Sequence, residues 1–239
     1  IVHEVNPAIA SPQIYHYRSK LTPHFRKPYN NKISSIGFVP KQGGREYLDV
    51  TNCPIAMEEI NTALPTIRKK THSLAKQYKK DTTLLMRVSE GSVETAADSV
   101  ICEKVGDLNF HFLASDFFQN NPFIRTDFTD YTAHQAKSSE SNYLIDAYCG
   151  SGLFALSLAK YFKQVAGVEV SETSASWARQ NARLNGIDNA EFTAASAESI
   201  FKKIDFPAHE TTVLHHPPHT GCPPDFTTPT STFHPNLPN

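Results

Sequence analysis

The sequence predicts an α/β fold with a parallel sheet in its C-terminal half, preceded by an α+β domain. From Tyr143 onward, apolar runs typical of strands alternate regularly with segments typical of helices. Before Tyr143, short strand-like runs broken by Pro, Gly and Asn surround one long helical segment. The 239 residues suffice for one large or two modest domains, and a hydrophobic content of 39% excludes a disordered chain.

The N-terminal half contains one clear helical period. Ile60, Leu64 and Ile67 recur at steps of three or four residues, which predicts an amphipathic helix over 57–80. Pro65 lies inside this segment and should either kink the helix or mark its true start. The predicted elements are, in order, strands at 33–39 and 45–50, the helix over 57–80, strands within 83–118 and a polar-faced connecting helix over 120–140.

The C-terminal half alternates strands with helices. Strands are predicted at YLIDAYC, QVAGVEV, AEFTAAS and TTVLHH, with helices at SGLFALSLAKYF, SETSASWARQNARLNG and AESIFKKI between them. This order is typical of a Rossmann-like parallel sheet, here truncated after its fourth strand, which leaves one sheet edge open. We therefore expect an α+β domain at 1–121, a connecting helix at 122–142, a partial sheet domain at 143–216 and an irregular Pro- and His-rich tail at 217–239.

Charge is divided unevenly along the chain. The net charge is −1, but residues 1–80 hold 13 Lys and Arg against 5 Asp and Glu, whereas residues 81–239 hold 10 against 19. A basic part joined to an acidic part suggests that the basic part binds a polyanion.

Two stretches of the basic part contain no acid. The first, YHYRSKLTPHFRKPYNNK at 15–32, interleaves aromatic with basic residues, and the second is IRKKTHSLAKQYKK at 67–80. Basic residues combined with aromatic platforms predict binding of looped or single-stranded RNA. A solvated surface is the alternative for both stretches, and it is favoured for the second. The aromatic residues of the first stretch are Tyr15, Tyr17, Phe25 and Tyr29.

Composition also bears on the location of the protein. No apolar run approaches the roughly 18–20 residues that a membrane span needs, and no charged-then-apolar leader opens the chain. Cys53, Cys102, Cys149 and Cys222 are widely spaced and form no C-x-x-C pair. We therefore expect reduced thiols in an intracellular protein that has no membrane association.

The most informative motif is LIDAYCGSGLFAL. Gly150 and Gly152 lie on a predicted strand-to-helix turn, where side chains would block the approach of a ligand. Glu169 ends the next predicted strand, where a carboxylate can accept both hydroxyl groups of an adenosyl ribose. The spacing Asp146-x-x-x-Gly150-x-Gly152 favours S-adenosylmethionine as the cofactor. NAD is the alternative ligand, and a glycine pair that serves only a tight turn is the alternative without a ligand.

Seven blocks follow one another across roughly residues 8–215: SPQIYHYRSKLTPHF, IGFVP, LDVTNCPIA, SDFFQNN, LIDAYCGSGLFALSLA, GVEVS and NARLNGIDNAEF. Together they resemble the RNA uracil-C5 methyltransferase family, and most of all its fungal-type tRNA (uracil-5-)-methyltransferases. The resemblance implies methyl transfer from S-adenosylmethionine to C5 of a tRNA uridine of the T-loop type, which yields 5-methyluridine. It further implies that a cysteine thiolate adds to C6 of the flipped uracil and that a glutamate removes the C5 proton.

The resemblance also implies roles for particular residues. Phe117 would stack on the flipped base, and Arg18 would lie near the substrate. The residues expected to bind S-adenosylmethionine are Gln119, Tyr148, Gly150, Gly152, Glu169 and His216.

Two departures from the family pattern concern the catalytic groups. The family has Asp-Pro-Pro-Arg near its fourth strand, whereas this chain has His216-Pro-Pro-His219, with His216 in the place of the acid. The Ser-Cys-Asn segment of the nucleophile and the general-base glutamate have no counterpart, so we assign no catalytic residue and expect an inactive fragment. We interpret VLHHPPHTGC as a diverged or corrupted copy of the family segment; a metal site of His216, His219 and Cys222 is the alternative.

Two other functions stay open beside methyl transfer: a non-catalytic RNA-binding protein of the same family, and an NAD-dependent oxidoreductase. We expect tRNA as the partner and a monomer. We expect no metal cluster, because Cys53 alone cannot hold the iron–sulfur cluster that other family members carry.

Overall fold

The computed structural model describes residues 7–197 and 204–216, and these form two compact units. The first unit takes the described residues up to Ser99 together with Gln119–Ile124. The second takes Val100–Phe118 and the described residues from Arg125 onward. The units therefore divide at other positions than the predicted boundary at residue 121. The assignment of RNA engagement to the N-terminal region stays a prediction.

The first unit is built on short antiparallel strands. Pro, Gly and Asn interrupt its apolar runs, so that each strand is two to four residues long. The strands form two sheets, with the orders β1-β6-β7 and β4-β3-β2-β5. Their bounds are β1 Lys20–Leu21, β2 His24–Phe25, β3 Gly37–Phe38, β4 Leu48–Asp49, β5 Thr82–Thr83, β6 Met86–Ser89 and β7 Ser92–Glu94.

One long helix, α1 (Glu58–Ser73), packs on the β1-β6-β7 sheet. Its apolar face buries Ile60 and Leu64 in a cluster with Leu21 and Met86, as the period of the sequence predicted. The helix begins seven residues before Pro65, so Pro65 does not mark its start.

The predicted end of α1 at residue 80 is wrong. The chain leaves the helix after Ser73 and continues through a short 3-10 turn, Ala75–Gln77. This exit lets Ala75 join a second cluster and brings the Tyr78 ring edge-on to Phe25, with the ring centroids 4.8 Å apart. Tertiary packing therefore overrides the helical period over the last seven residues.

The second unit opens with a hairpin and a helix. Strands β8 (Val100–Val105) and β9 (Leu108–Leu113) pair antiparallel, and α2 spans Arg125–Lys137. The Arg125 guanidinium, only 2% exposed, pairs with the Glu103 carboxylate at 2.8 Å and lies over the Phe118 ring. This buried ion pair fixes the start of α2 on β8.

The predicted parallel sheet is confirmed among the described residues. Its order is β12-β11-β10-β13, with every neighbouring pair parallel. From β10 the chain continues to β11 and β12 on one side of β10 and later returns to β13 on the other side. This change of direction creates a crevice at the carboxyl ends of the strands. The elements are β10 Tyr143–Asp146, α3 Leu153–Leu158, β11 Gln164–Glu169, α4 Glu172–Leu184, β12 Ala190–Ala194 and β13 Thr211–Leu214.

Packing inside this unit follows the apolar strands. Ile145, Val168 and Val213 share one buried cluster. The buried amide of Asn181 on α4 donates to the carbonyl oxygens of Ser151 and His111, and its oxygen accepts from the His111 N–H. The helix predicted at AESIFKKI lies almost wholly outside the described residues.

No helix in the described part of the chain is long and apolar enough to cross a membrane. Over residues 7–197 and 204–216, no group of three or more His, Cys, Asp or Glu side chains could hold a metal ion. His219 and Cys222 of the alternative metal site lie outside this range.

Candidate cofactor-binding site

The glycine turn after β10 has the backbone that the sequence predicted. Gly150 and Gly152 have φ values of 53° and 92°, in the left-handed region that favours glycine. A Cβ at Gly152 would lie 3.0 Å from the Leu156 side chain and 3.3 Å from Ala178, so Gly152 is needed for close packing of the turn. A Cβ at Gly150 would meet nothing within 4 Å. Gly150 thus leaves open space through which a ligand can approach the backbone.

The Glu169 carboxylate closes this turn from the end of β11. Its Oε2 accepts from the Gly150 N–H at 3.1 Å, and its Oε1 accepts from the Ser171 N–H at 2.9 Å. The side chain is half-buried, so both oxygens are held in place while part of the group faces solvent. Each carboxylate oxygen has a second lone pair, and the group can therefore accept two ligand hydroxyl groups.

A second carboxylate lies beneath the turn. Asp146 ends β10 and is 1% exposed, and its Oδ2 has no hydrogen-bond partner among the described residues. The pKa of Asp146 is raised to about 7, mainly by burial and to a lesser extent by the charge of Glu169, while the backbone N–H groups of Tyr148 and Ala155 oppose the shift. The hydroxyl of Ser151, on the turn, is likewise buried without a described partner.

Unpartnered buried oxygens of this kind are uncommon and call for a ligand or water. The open space at Gly150 and the oxygens of Asp146 and Ser151 therefore fit a polar ligand with hydroxyl or amino groups. Neither Asp146 nor Ser151 was among the predicted site residues. The spacing of Asp146 from Gly150 and Gly152 was the sequence feature from which a role for Asp146 in the site could have been predicted.

Two histidines line the end of β13. The His215 ring lies edge-on to Tyr148, with the ring centroids 5.4 Å apart, and the His216 ring stacks on Phe154 at 4.7 Å. Phe128 of α2 meets the same His216 ring edge-on at 5.8 Å. Loss of solvent lowers the pKa of both histidines, and the neighbouring His215 lowers the pKa of His216 further. A neutral aromatic stack therefore stands where the family pattern places an acid.

The other predicted site residues lie in both units. Phe117 is 72% exposed, whereas the adjacent Phe118 is buried and stacks on Phe112 at 4.2 Å. Gln119 and Arg18 belong to the first unit; Gln119 is half-buried, and Arg18 Nε donates to the Lys20 carbonyl oxygen at 2.8 Å. Tyr148, Gly150, Gly152, Glu169 and His216 all lie in the second unit, where Glu169 contacts Gly150 directly and His216 contacts Phe154. The binding roles of all eight predicted site residues stay predictions.

Comparison with known proteins agrees with this architecture. A crystal structure of Pyrococcus abyssi tRNA (uracil-54, C5)-methyltransferase in complex with S-adenosyl-L-homocysteine aligns with a TM-score of 0.70 at 19% identity. The alignment covers 95% of this chain and 66% of that one. At this identity the match establishes a shared fold.

Two curated relatives are similar over most of this chain. The tRNA (uracil(54)-C(5))-methyltransferase of Schizosaccharomyces pombe is 39% identical, over 93% of this chain and 45% of its own length. The enzyme of the same name from Saccharomyces cerevisiae is 31% identical, over 90% of this chain and 43% of its own length. The chain thus spans less than half the length of either relative. The model of the tRNA (uracil-5-)-methyltransferase family matches residues 57–207, well over half of this chain, and the chain therefore belongs to that family.

Proposed function

We propose that this chain is the S-adenosylmethionine-binding part of a tRNA (uracil-5-)-methyltransferase, which methylates C5 of a tRNA uridine of the T-loop type. The observation that carries the proposal is the carboxylate of Glu169, held at the end of β11 by the N–H of Gly150. A fixed strand-end acid beside a glycine turn is what recognition of an adenosyl ribose requires. Family membership and the relatives' names support the choice of tRNA as the substrate.

Several residues would hold the cofactor. Glu169 would accept the ribose hydroxyl groups, and Gly150 would leave room for the ligand against the backbone of the turn. Tyr148 and His216 would line the adjoining end of the crevice. S-adenosylmethionine, when bound, supplies an electrophilic methyl group.

The environment of Cys149 decides whether this cysteine could act as the nucleophile of methyl transfer. Cys149 lies next to the glycine turn, but its side chain is 5% exposed. Burial raises the pKa of the Cys149 thiol well above its usual value, and the charges of Asp146 and Glu169 raise it further. The thiol therefore stays protonated at neutral pH and is unsuited to add to a uracil. We assign no catalytic residue among the described residues and propose that tRNA binding and cofactor binding are the functions of this chain.

Titration calorimetry with S-adenosylmethionine tests the proposed pocket, with NADH as the competing ligand. We expect saturable binding of S-adenosylmethionine and none of NADH. Glu169→Gln should weaken the binding about 10- to 100-fold, because charged hydrogen bonds to the ribose are lost. Glu191→Gln, an exposed glutamate on the neighbouring strand β12, is the matched control and should leave the affinity unchanged.

The same titration can refute the proposal. Binding of NADH but not of S-adenosylmethionine would favour an oxidoreductase. Equal weakening by Glu169→Gln and Glu191→Gln would show that Glu169 does not contact the ligand.

A further inference from the structure

We propose that the first unit carries an RNA-docking surface in which the two basic stretches act together. This lysine–tyrosine surface consists of Lys27, Tyr29, Lys32, Lys79 and Lys80, which are all exposed. It would bind the phosphate backbone and one unpaired base of an RNA loop. The identity of the partner as RNA rests on the proposed function. The surface itself contains none of the residues proposed to bind the cofactor.

Strand pairing joins the two stretches. In the antiparallel pair β2–β5, His24 lies opposite Thr83 and Phe25 opposite Thr82. Just beyond this pair, the Arg26 guanidinium meets the Asp81 carboxylate at 2.7 Å, and the Lys27 N–H donates to the same carboxylate at 2.8 Å. Residues 26–27 and 80–81, which are distant in sequence, therefore lie side by side.

The basic residues divide into two classes. Arg26 and Arg68 pair with Asp81 and Asp49, and Arg68 also donates to backbone carbonyl oxygens, so these arginines serve the fold. In the described part of the chain, no carboxylate lies within ion-pairing distance of the ammonium groups of the surface lysines, which are Lys27, Lys32, Lys79 and Lys80. Exposed like charges repel one another, and a polyanion relieves that repulsion.

Tyr29 adds a platform for a base. Tyr29 and Lys32 exchange two backbone hydrogen bonds, at 3.0 and 2.9 Å, around Asn30 and Asn31 with φ values of 49° and 60°. This tight turn holds Tyr29, which is 81% exposed, at the tip of a hairpin. Phe25, from the same stretch, is fully buried in a cluster with Ile36 and Ala75, whereas Tyr29 is not part of that cluster. An aromatic ring among lysines favours RNA over an acidic protein segment, because only a nucleic acid offers bases to stack.

Fluorescence anisotropy of the full chain with a labelled RNA stem-loop tests the surface. Lys27→Ala combined with Lys80→Ala should weaken binding about 10-fold. The same pair should reduce the slope of log K against log salt by about 1.4, as expected for two lost contacts to single-stranded phosphates. Tyr29→Ala should weaken binding about 10-fold, whereas Tyr29→Phe should retain the affinity because it keeps the ring.

The controls separate this surface from general charge effects and from the cofactor pocket. Lys104→Ala combined with Lys160→Ala removes two exposed lysines of the second unit and should change RNA affinity less than twofold. S-adenosylmethionine affinity, measured on every variant, should stay at the wild-type value. Failure of the wild-type chain to bind S-adenosylmethionine would contradict the proposed function, while the RNA titrations would still test the surface.

Two outcomes would overturn the docking surface. The first is an RNA affinity within twofold of wild type both for Lys27→Ala combined with Lys80→Ala and for Tyr29→Ala. The second is displacement of the RNA by polyglutamate at equal charge concentration, with Tyr29→Ala having no effect, which would identify an acidic protein segment as the partner.

Discussion

Asp146→Asn is expected to remove a contribution that destabilises the wild-type protein at pH 8. At pH 4 this contribution is close to zero, so the substitution should have little effect there through the titration of Asp146. The carboxyl is fully buried, and its pKa of about 7 is raised mainly by burial. The unfolded chain releases the same proton near pH 4. Between about pH 4 and pH 7 the folded state therefore holds a proton that the unfolded state has lost, and stability falls as the pH rises through this window. Above about pH 7 the penalty is complete.

The size of this effect follows from the separation of the two pKa values. About three pKa units correspond to roughly 4 kcal/mol, which is an upper estimate for the penalty at pH 8. An asparagine has no proton to release in this range. The free energy of unfolding of Asp146→Asn, relative to wild type, should thus rise by about 2–4 kcal/mol between pH 4 and pH 8.

Urea unfolding at a series of pH values measures this difference. Asp188→Asn, an exposed position near the start of β12, is the control and should stay within about 0.5 kcal/mol of wild type at every pH. The nearby groups that also titrate or carry charge are Glu169 and Cys149, and both are retained in the variant. Parallel pH curves for wild type and Asp146→Asn would contradict the assignment of a raised pKa to Asp146.

Gly167→Val is expected to destabilise the protein by about 3 kcal/mol or more, because it overfills a closed space between neighbouring strands. A Cβ at Gly167 would lie 2.6 Å from Cε1 of Phe192 on β12 and 2.9 Å from Sγ of Cys149, distances at which the neighbours must move. Cys149 leads directly into the glycine turn and its N–H donates to the Val168 carbonyl oxygen at 3.1 Å. The substitution should therefore also weaken S-adenosylmethionine binding in the fraction that still folds.

A second-site variant distinguishes overpacking from a loss of strand propensity. Phe192→Leu removes ring atoms from the contact, so Gly167→Ala combined with Phe192→Leu should recover part of the stability lost in Gly167→Ala. Thermal unfolding of the single and double variants gives the coupling free energy, which should be at least about 1 kcal/mol. Additive losses in the double variant would show that Phe192 is not the group that excludes a side chain at Gly167.

The sheet was predictable because its short, apolar-rich strands alternate regularly with helical segments and because glycines mark the turn after β10. YLID, QVAGVE, AEFTA and TTVL each became a strand of one parallel sheet. The same reasoning placed Glu169 at a strand end beside the glycine turn, since parallel strands direct their carboxyl ends to one edge. These features depend on local period and on turn residues, which a sequence displays directly.

Features that depend on tertiary contacts were not predictable. The early end of α1 follows from the packing of Tyr78 on Phe25, which lie far apart in sequence. The lysine–tyrosine surface depends on the pairing of β2 with β5, and two-residue strands leave almost no period to detect. The burial of Asp146 depends on which side of the strand end is covered, and an aspartate before a glycine turn is equally typical of a solvated loop.

The most direct test of the cofactor pocket is a crystal structure of this chain grown with S-adenosyl-L-homocysteine. The proposal predicts that both ribose hydroxyl groups lie about 2.6–3.0 Å from the Glu169 carboxylate oxygens, with the ligand passing over Gly150. A ligand bound elsewhere on the chain would contradict the assignment of Glu169 and the glycine turn as its site. So would a ligand in the crevice whose ribose makes no contact with Glu169.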